Sequence, residues 1–279
     1  MNRPRSPPAA SAWHVRLPAR CCNALVAGAG RREDISNTVV LGHWWGTVMS
    51  IKALPPGQIE HPTFERFGLG LFANRLPTDS SLRLVAVRGD VAQPLNLVDS
   101  LEQLPRYSQT ADFHCVTTWS VRNLRWSGFR FSDVYTAIVK PIAQPDPSAD
   151  LVVFHGMDGY RSSMILEDLM SEDVMLADRL NDEPLGLAHG APLRLVAPAH
   201  YGYKSVKHLA AIEFWSDRKN YRFPFPYPGL IDHPRARVDR EERVRYLPPI
   251  LLRHIYRLLI ARVQKRSRQT LEAHRASKL

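Results

Sequence analysis

The chain has 279 residues, 44% of them hydrophobic and 23% charged. These values exclude a disordered chain, a collagen-like repeat and a long coiled coil. The three cysteines, two of them adjacent at Cys21 and Cys22, exclude a disulfide framework and any zinc-ligand spacing. The formal net charge of +10 sits mostly at the C-terminus, where Asp232 to Leu279 hold 13 Lys/Arg against 5 Asp/Glu. Such a surplus is usually a solvated tail, and it can also attract an anionic partner. The rest of the chain is near neutral, so no nucleic-acid partner is expected.

Residues 1–54 read as an N-terminal extension rich in Arg, Ala and Pro, disordered at its start. Ile35 to Ile51 carry no formal charge and follow Arg31 and Arg32. That run is short and broken by polar residues for a membrane span, and it has no convincing cleavage site. Translation starting at Met49 is an alternative account of the extension. The expected location is the cytoplasm, with export to the periplasm if the run acts as a leader.

Leu54-Pro55-Pro56-Gly57 marks the entry to a folded domain over 55–222. Alternation predicts a strand over Ser81 to Arg88, then a turn at Arg88-Gly89-Asp90. A short helix is expected over Leu97 to Leu104, capped by Asn96 or Asp99. Ala111 to Ser120 suits a strand running into a loop. A helix is predicted from about Ser132 to Val139, stopped by Pro141. Next come a strand at Leu151 to His155, a short helix at Ile165 to Met170 and a strand or helix at Val174 to Leu180. A turn at Asn181 to Pro184 and strands at Leu193 to Ala197 and His208 to Trp215 complete the series. Without a regular strand–helix alternation, these elements predict an irregular α+β domain with a mixed sheet.

The last segment, 223–279, is expected to be a Pro-rich connector followed by a basic helix. Pro249 to Arg268 places Leu252, Ile255, Tyr256, Leu259 and Val263 on one stripe and Arg253, Arg257 and Gln264 opposite. Packing of that stripe across the domain is the ordinary outcome. Peripheral contact with a membrane surface is the alternative.

Cys115 stands alone in His114-Cys115-Val116-Thr117-Thr118-Trp119-Ser120. A lone cysteine is most often a small buried hydrophobe. His114 is poorly placed to activate it, because strand neighbours point to opposite faces. The remaining chemical role is a soft thiolate ligand to a metal held mainly by something other than protein. Arg194, Lys204 and Lys207 gather positive charge about glycine turns, as phosphate binding requires. Neither GxxxxGK[ST] nor GxGxxG is present.

Taken in order, HCVTTWS, HGMDGY, NDEPL, HGAPLR and HYGYKSVKHLAAIEF resemble the molybdopterin-binding domain of the sulfite-oxidase family. The likeness is strongest to its stand-alone bacterial members, which include catalytic subunits of protein-methionine-sulfoxide reductases. It spans about Pro55 to Asp217 and is specific for fold and cofactor more than for substrate. It implies a Mo-molybdopterin cofactor, Cys115 as the catalytic metal ligand, and oxygen-atom transfer on a small molecule or a sulfoxide. It also implies cofactor contacts from Arg194, from Ser205, Val206 and Lys207, and from His155, His189, His200 and Tyr201.

Sulfite oxidases follow the metal cysteine with an arginine-rich substrate pocket, where this chain has Val116, Thr117 and Thr118. Sulfite is therefore a doubtful substrate. The chain shows no counterpart of the animal enzyme's haem domain. A separate electron-transfer partner is implied: a cytochrome, a flavoprotein or a quinone-linked subunit. The rival function is a cofactor-free binding or scaffold protein that keeps the fold.

Overall fold

The computed structural model describes residues 53–67, 72, 75–77, 84–222 and 232–276, and these fall in one compact body. The expectations for the N-terminal extension and for an extended connector at Pro224 to Pro228 lie outside the described residues.

In chain order, β1 is Ile59–Glu60, β2 is Ala86–Gly89 and β3 is Leu95–Asn96. The helix expected from Leu97 is a single turn, α1, Val98–Leu101. Its N-cap position is Leu97, not Asn96 or Asp99; Asn96, one residue earlier, accepts through Oδ1 from the N–H groups of Val98 at 3.3 Å and Val85 at 3.1 Å. Strand β4, Tyr107–His114, stops before Cys115, and β5 runs for twelve residues, Trp119–Arg130. The expected strand over Ala111 to Ser120 is therefore two strands joined by a tight turn. Thr118 adopts φ 78° there, and the Cys115 N–H donates to Trp119 O at 2.8 Å.

Helix α2, Phe131–Val134, continues in wide π-helical turns through Tyr135–Ala143. Pro141 does not stop it, contrary to expectation. The wider turn tolerates a residue that has no N–H and would crowd a tight α-helical turn. The segment ends when Gln144, at φ 51°, donates its N–H to Val139 O five residues back.

Then follow β6 (Leu151–Gly156), β7 (Arg161–Ile165), α3 (Leu166–Leu169), β8 (Met175–Leu180), β9 (Glu183–Pro184), β10 (Arg194–Val196) and β11 (Leu209–Trp215). The C-terminal helix α4 runs Pro249–Ala276, two turns beyond the predicted end. Among the described residues, no helix is long and apolar enough to cross a membrane.

The strands form two sheets. One has the order β3-β2-β11-β6-β7, with β11 parallel to β2 and antiparallel to β6. In the other, β4 covers one edge of β5, while β1 and β8 share the opposite edge; β10 and β9 extend from β8. Strand alternation sends β8 side chains to two cores. Leu176 joins the large cluster with Val152, Phe154 and Ile212, and Met175 and Ala177 join the cluster with Cys115, Trp119 and Trp126. A register shift at Ser127/Gly128 lets Phe129 turn to the first cluster. Gly128 is required there, because a Cβ would lie 2.1 Å from Leu176 O.

On α4, Leu252 is buried and Tyr256, Ile260 and Val263 are half-buried. The stripe is rotated from the predicted one. Gln264 is buried, with its Nε2 3.2 Å from His61 Nε2, while Ile255 is exposed.

Candidate functional site

The β4–β5 turn, the end of the 3₁₀ turn Leu187–His189 and the run into β11 meet at a cavity of about 260 Å³. Cys115, His189, Arg194, Ser205 and Lys207 all line it. The Cys115 side chain is buried, with Sγ 3.1 Å from Thr117 Oγ1. Its backbone is fixed on both sides: Gln58 Nε2 donates to Cys115 O at 3.1 Å, and the N–H is held by Trp119. Burial pushes the thiol up to about 11 against the opposing pull of Thr117, Arg243 and Lys207. With no metal bound the thiol keeps its proton, and a ligating role requires a metal to displace it. His114 points its Nδ1 at Ser120 Oγ, 2.8 Å away.

Arg194 is 1% exposed, and among the described residues its guanidinium donates only to backbone carbonyls: His189 O at 2.8 Å, Leu195 O at 3.3 Å and Ser205 O at 3.3 Å. It also sits over the rings of Trp126 and Phe113. Burial lowers it to about 9, so it stays cationic at neutral pH. Lys207 Nζ donates to Phe67 O at 3.1 Å. Burial, then Arg194 and Arg66, lower this ammonium to about 7. Among the described residues neither Arg194 nor Lys207 forms an ion pair with a carboxylate. Asp158 lines the same cavity, and burial raises its carboxyl. His189 stacks on Phe64 at 4.8 Å and 14°, and burial beside Arg194 and Lys207 lowers it to about 4.

The other named residues lie elsewhere. His155 is outside the cavity lining, paired through Nε2 with Glu213 Oε2 at 2.5 Å across β6 and β11. His200 points its Nδ1 at Arg235 O, 2.5 Å away. Tyr201 is buried with Val116, Ala236 and Val238. Val206 is a core residue whose carbonyl accepts from Leu195 N–H at 2.9 Å. His200 and Tyr201 fasten residues 235–238 behind the Cys115 turn, and Val206 anchors the loop that carries Lys207.

Sequence reasoning missed His208, Arg66 and Tyr256, which also line the cavity. His208 Nδ1 lies 2.6 Å from Ala191 O, and burial lowers the ring to about 4. Its place directly after Lys207 in HYGYKSVKH was a usable signal. Tyr256 had none, because it arrives from α4 as part of an apolar stripe. Aromatic side chains from Phe67, Trp119 and Tyr256 give the cavity a largely apolar wall beside its cations. The arrangement suits an anion-bearing ligand that also presents a soft metal to one thiolate.

A family model described as the oxidoreductase molybdopterin binding domain matches residues 76–223, just over half of the chain. The uncharacterized oxidoreductase YuiH of Bacillus subtilis is 36% identical over 129 residues, which is 46% of this chain and 63% of that protein. The protein-methionine-sulfoxide reductase catalytic subunit MsrP of Xanthomonas campestris is 27% identical over 187 residues, 57% of this chain and 56% of MsrP. The mitochondrial sulfite oxidase of Drosophila melanogaster is 30% identical over 45% of this chain and 26% of its own length. The sulfane dehydrogenase SoxCD structure from Paracoccus pantotrophus matches 48% of this chain and 38% of its own, with 24% identity and TM-score 0.42. The chain thus spans less than two thirds of the curated relatives it matches. With that match over 76–223, which includes Cys115, His189, Arg194, Ser205 and Lys207, the chain belongs to the oxidoreductase molybdopterin-binding domain family.

Proposed function

We propose that this chain is a molybdenum-molybdopterin oxidoreductase that moves an oxygen atom to or from a small organic substrate, with sulfoxides among the candidates. One observation carries the proposal: a buried thiol, the buried Arg194 and the half-buried Lys207, neither cation in an ion pair with a carboxylate among the described residues, border one cavity. An uncompensated buried cation is costly in an empty protein, and an anionic phosphate there supplies the missing charge. The residues present fit the group.

When bound, the cofactor supplies a metal able to exchange an oxygen atom together with two electrons. Cys115 would provide the thiolate. Arg194 and Lys207 would hold the phosphate, the first through a planar fork and the second as a point charge. His189 and His208 are neutral at physiological pH, so their rings add hydrogen-bonding capacity without charge. Phe67, Trp119 and Tyr256 exclude water and favour an apolar substrate body over a small anion. Electrons would come from or go to a separate partner, a cytochrome, flavoprotein or quinone-linked subunit. The relative MsrP is named as a catalytic subunit, which supports a partner of that kind.

The test is metal and pterin content of the chain purified from a host that makes molybdopterin. About one molybdenum per chain, lost in Cys115→Ser, supports the proposal. Absence of both metal and pterin under those conditions removes it in favour of a cofactor-free binding protein.

A further inference from the structure

Among the described residues, the domain touches only one face of helix α4. The inner face is held by Arg253 Nε on Glu241 Oε1 at 2.6 Å, by Gln264 on His61 and by Arg268 on Glu65 at 3.3 Å. Ile260 packs on the Trp119 cluster and Tyr256 on the Tyr201 cluster. The outer face carries Leu251, Ile255 and Leu258, spaced by four and three residues and therefore on one stripe. Leu258 is 80% exposed, Leu251 54% and Ile255 45%, and Ile250 beside them is 66% exposed. Large apolar side chains grouped this way are unusual on a free surface.

The charge around this stripe is one-sided. From Arg243 to Leu271 the chain has 8 Lys/Arg and no Asp/Glu. Arg257, Arg262 and Lys265 are exposed on the outer half of the helix. A second copy is a poor occupant, because a two-fold contact sets like-charged helices against each other. An interfacial lipid helix needs an apolar stripe flanked by cations and a low mean hydropathy, and α4 has these features.

We infer that the outer face of α4 docks on an anionic lipid surface, with Leu251, Ile255 and Leu258 in the head-group boundary and Arg257, Arg262 and Lys265 over the lipid charges. The contact lies on the helix that supplies Tyr256 to the cavity wall, so the bilayer would sit one helix away from the site.

The experiment is co-sedimentation of the full chain with vesicles of phosphatidylcholine alone and of phosphatidylcholine mixed with phosphatidylserine. The wild type should partition to the anionic vesicles and be released by salt. Leu251→Gln/Leu258→Gln should weaken partitioning about 100-fold, roughly tenfold for each leucine. Arg257→Gln/Arg262→Gln should weaken it about 25-fold, roughly fivefold for each cation. All four positions are exposed, and unchanged urea midpoints would establish that the variants fold. Three results overturn the inference: no binding by the wild type, equal binding to both vesicle types, or undiminished binding by the leucine variant. A wild-type dimer in light scattering that the leucine variant turns into a monomer, without vesicle binding, would assign the face to a second copy.

Discussion

Lys207→Met should make the empty protein more stable and the loaded protein harder to form. In the unfolded chain the ammonium keeps its proton to its ordinary 10.5, and in the fold it gives it up near 7. Between those values the unfolded chain holds the extra proton, so stability rises with pH across that window. Below about 7 the penalty is present in full, and above about 10.5 it vanishes. A fall of that size corresponds to roughly 5 kcal/mol for a fully desolvated group. Lys207 is only half-buried by exposed area and donates to Phe67 O. Screening by solvent therefore reduces the expected penalty to about 1–3 kcal/mol. Urea unfolding of protein made in a host without molybdopterin, at about pH 6 and about pH 9, measures it. The wild type should gain stability between the two values, and Lys207→Met should lack that share of the gain while exceeding the wild type at the lower pH. In a molybdopterin-producing host the same variant should carry less cofactor. A variant less stable than the wild type at the lower pH would show that Lys207 serves the fold, and the reasoning from unpaired charge would fail.

Asp232→Asn should cost about 3–5 kcal/mol in urea unfolding, because it leaves the Lys204 ammonium buried with Ser163 O and no counter-charge. Lys204→Met with Asp232→Leu should cost markedly less, which separates the loss of a partner from the loss of the pair. Gly202→Ala puts a Cβ 2.1 Å from the Phe113 ring, so stability should drop by about 1–3 kcal/mol and cofactor content should fall with the displaced cavity wall. His155→Phe should leave molybdenum content at the wild-type level, and a clear loss would put His155 in contact with the cofactor.

The parts of the site legible in sequence were those with scarce chemistry or a fixed place in a motif. Cys115 stands out because the chain has only three cysteines, and Arg194 and Lys207 stand out among 37 Lys/Arg because they fall in ordered motifs. The structure brings all three to one cavity. Histidines in the same motifs were less legible, since adjacency does not tell which side of a strand a ring takes. His155 shares β6 with Phe154, and the two go to opposite sides: one to Glu213, the other into the core. The α+β class and most strand positions followed from alternation. The break between β4 and β5 did not, because Val116, Thr117 and Thr118 are strand-forming residues held in a turn by long-range contacts. Arg243 Nη1 donates to Val116 O at 2.5 Å from the far end of the chain. The π-helical passage through Pro141 likewise depends on what packs against it, since Ile138, Val139 and Ala143 are buried in the main core.

The position of β11 in its sheet has a consequence for how the molecule is made. This last strand sits in the middle, between β2 and β6, and its parallel partner β2 lies more than a hundred residues earlier. Loop closure over such a span delays pairing, and contacts of this range slow folding. On the ribosome the five-stranded sheet therefore stays in two pieces until residues 209–215 have emerged. Lys207 and His208 immediately precede that strand. The cavity gains its Lys207 and His208 wall in the same event that closes the sheet, and Tyr256 of α4 can complete it only after that, so the cavity is among the last parts of the domain to form.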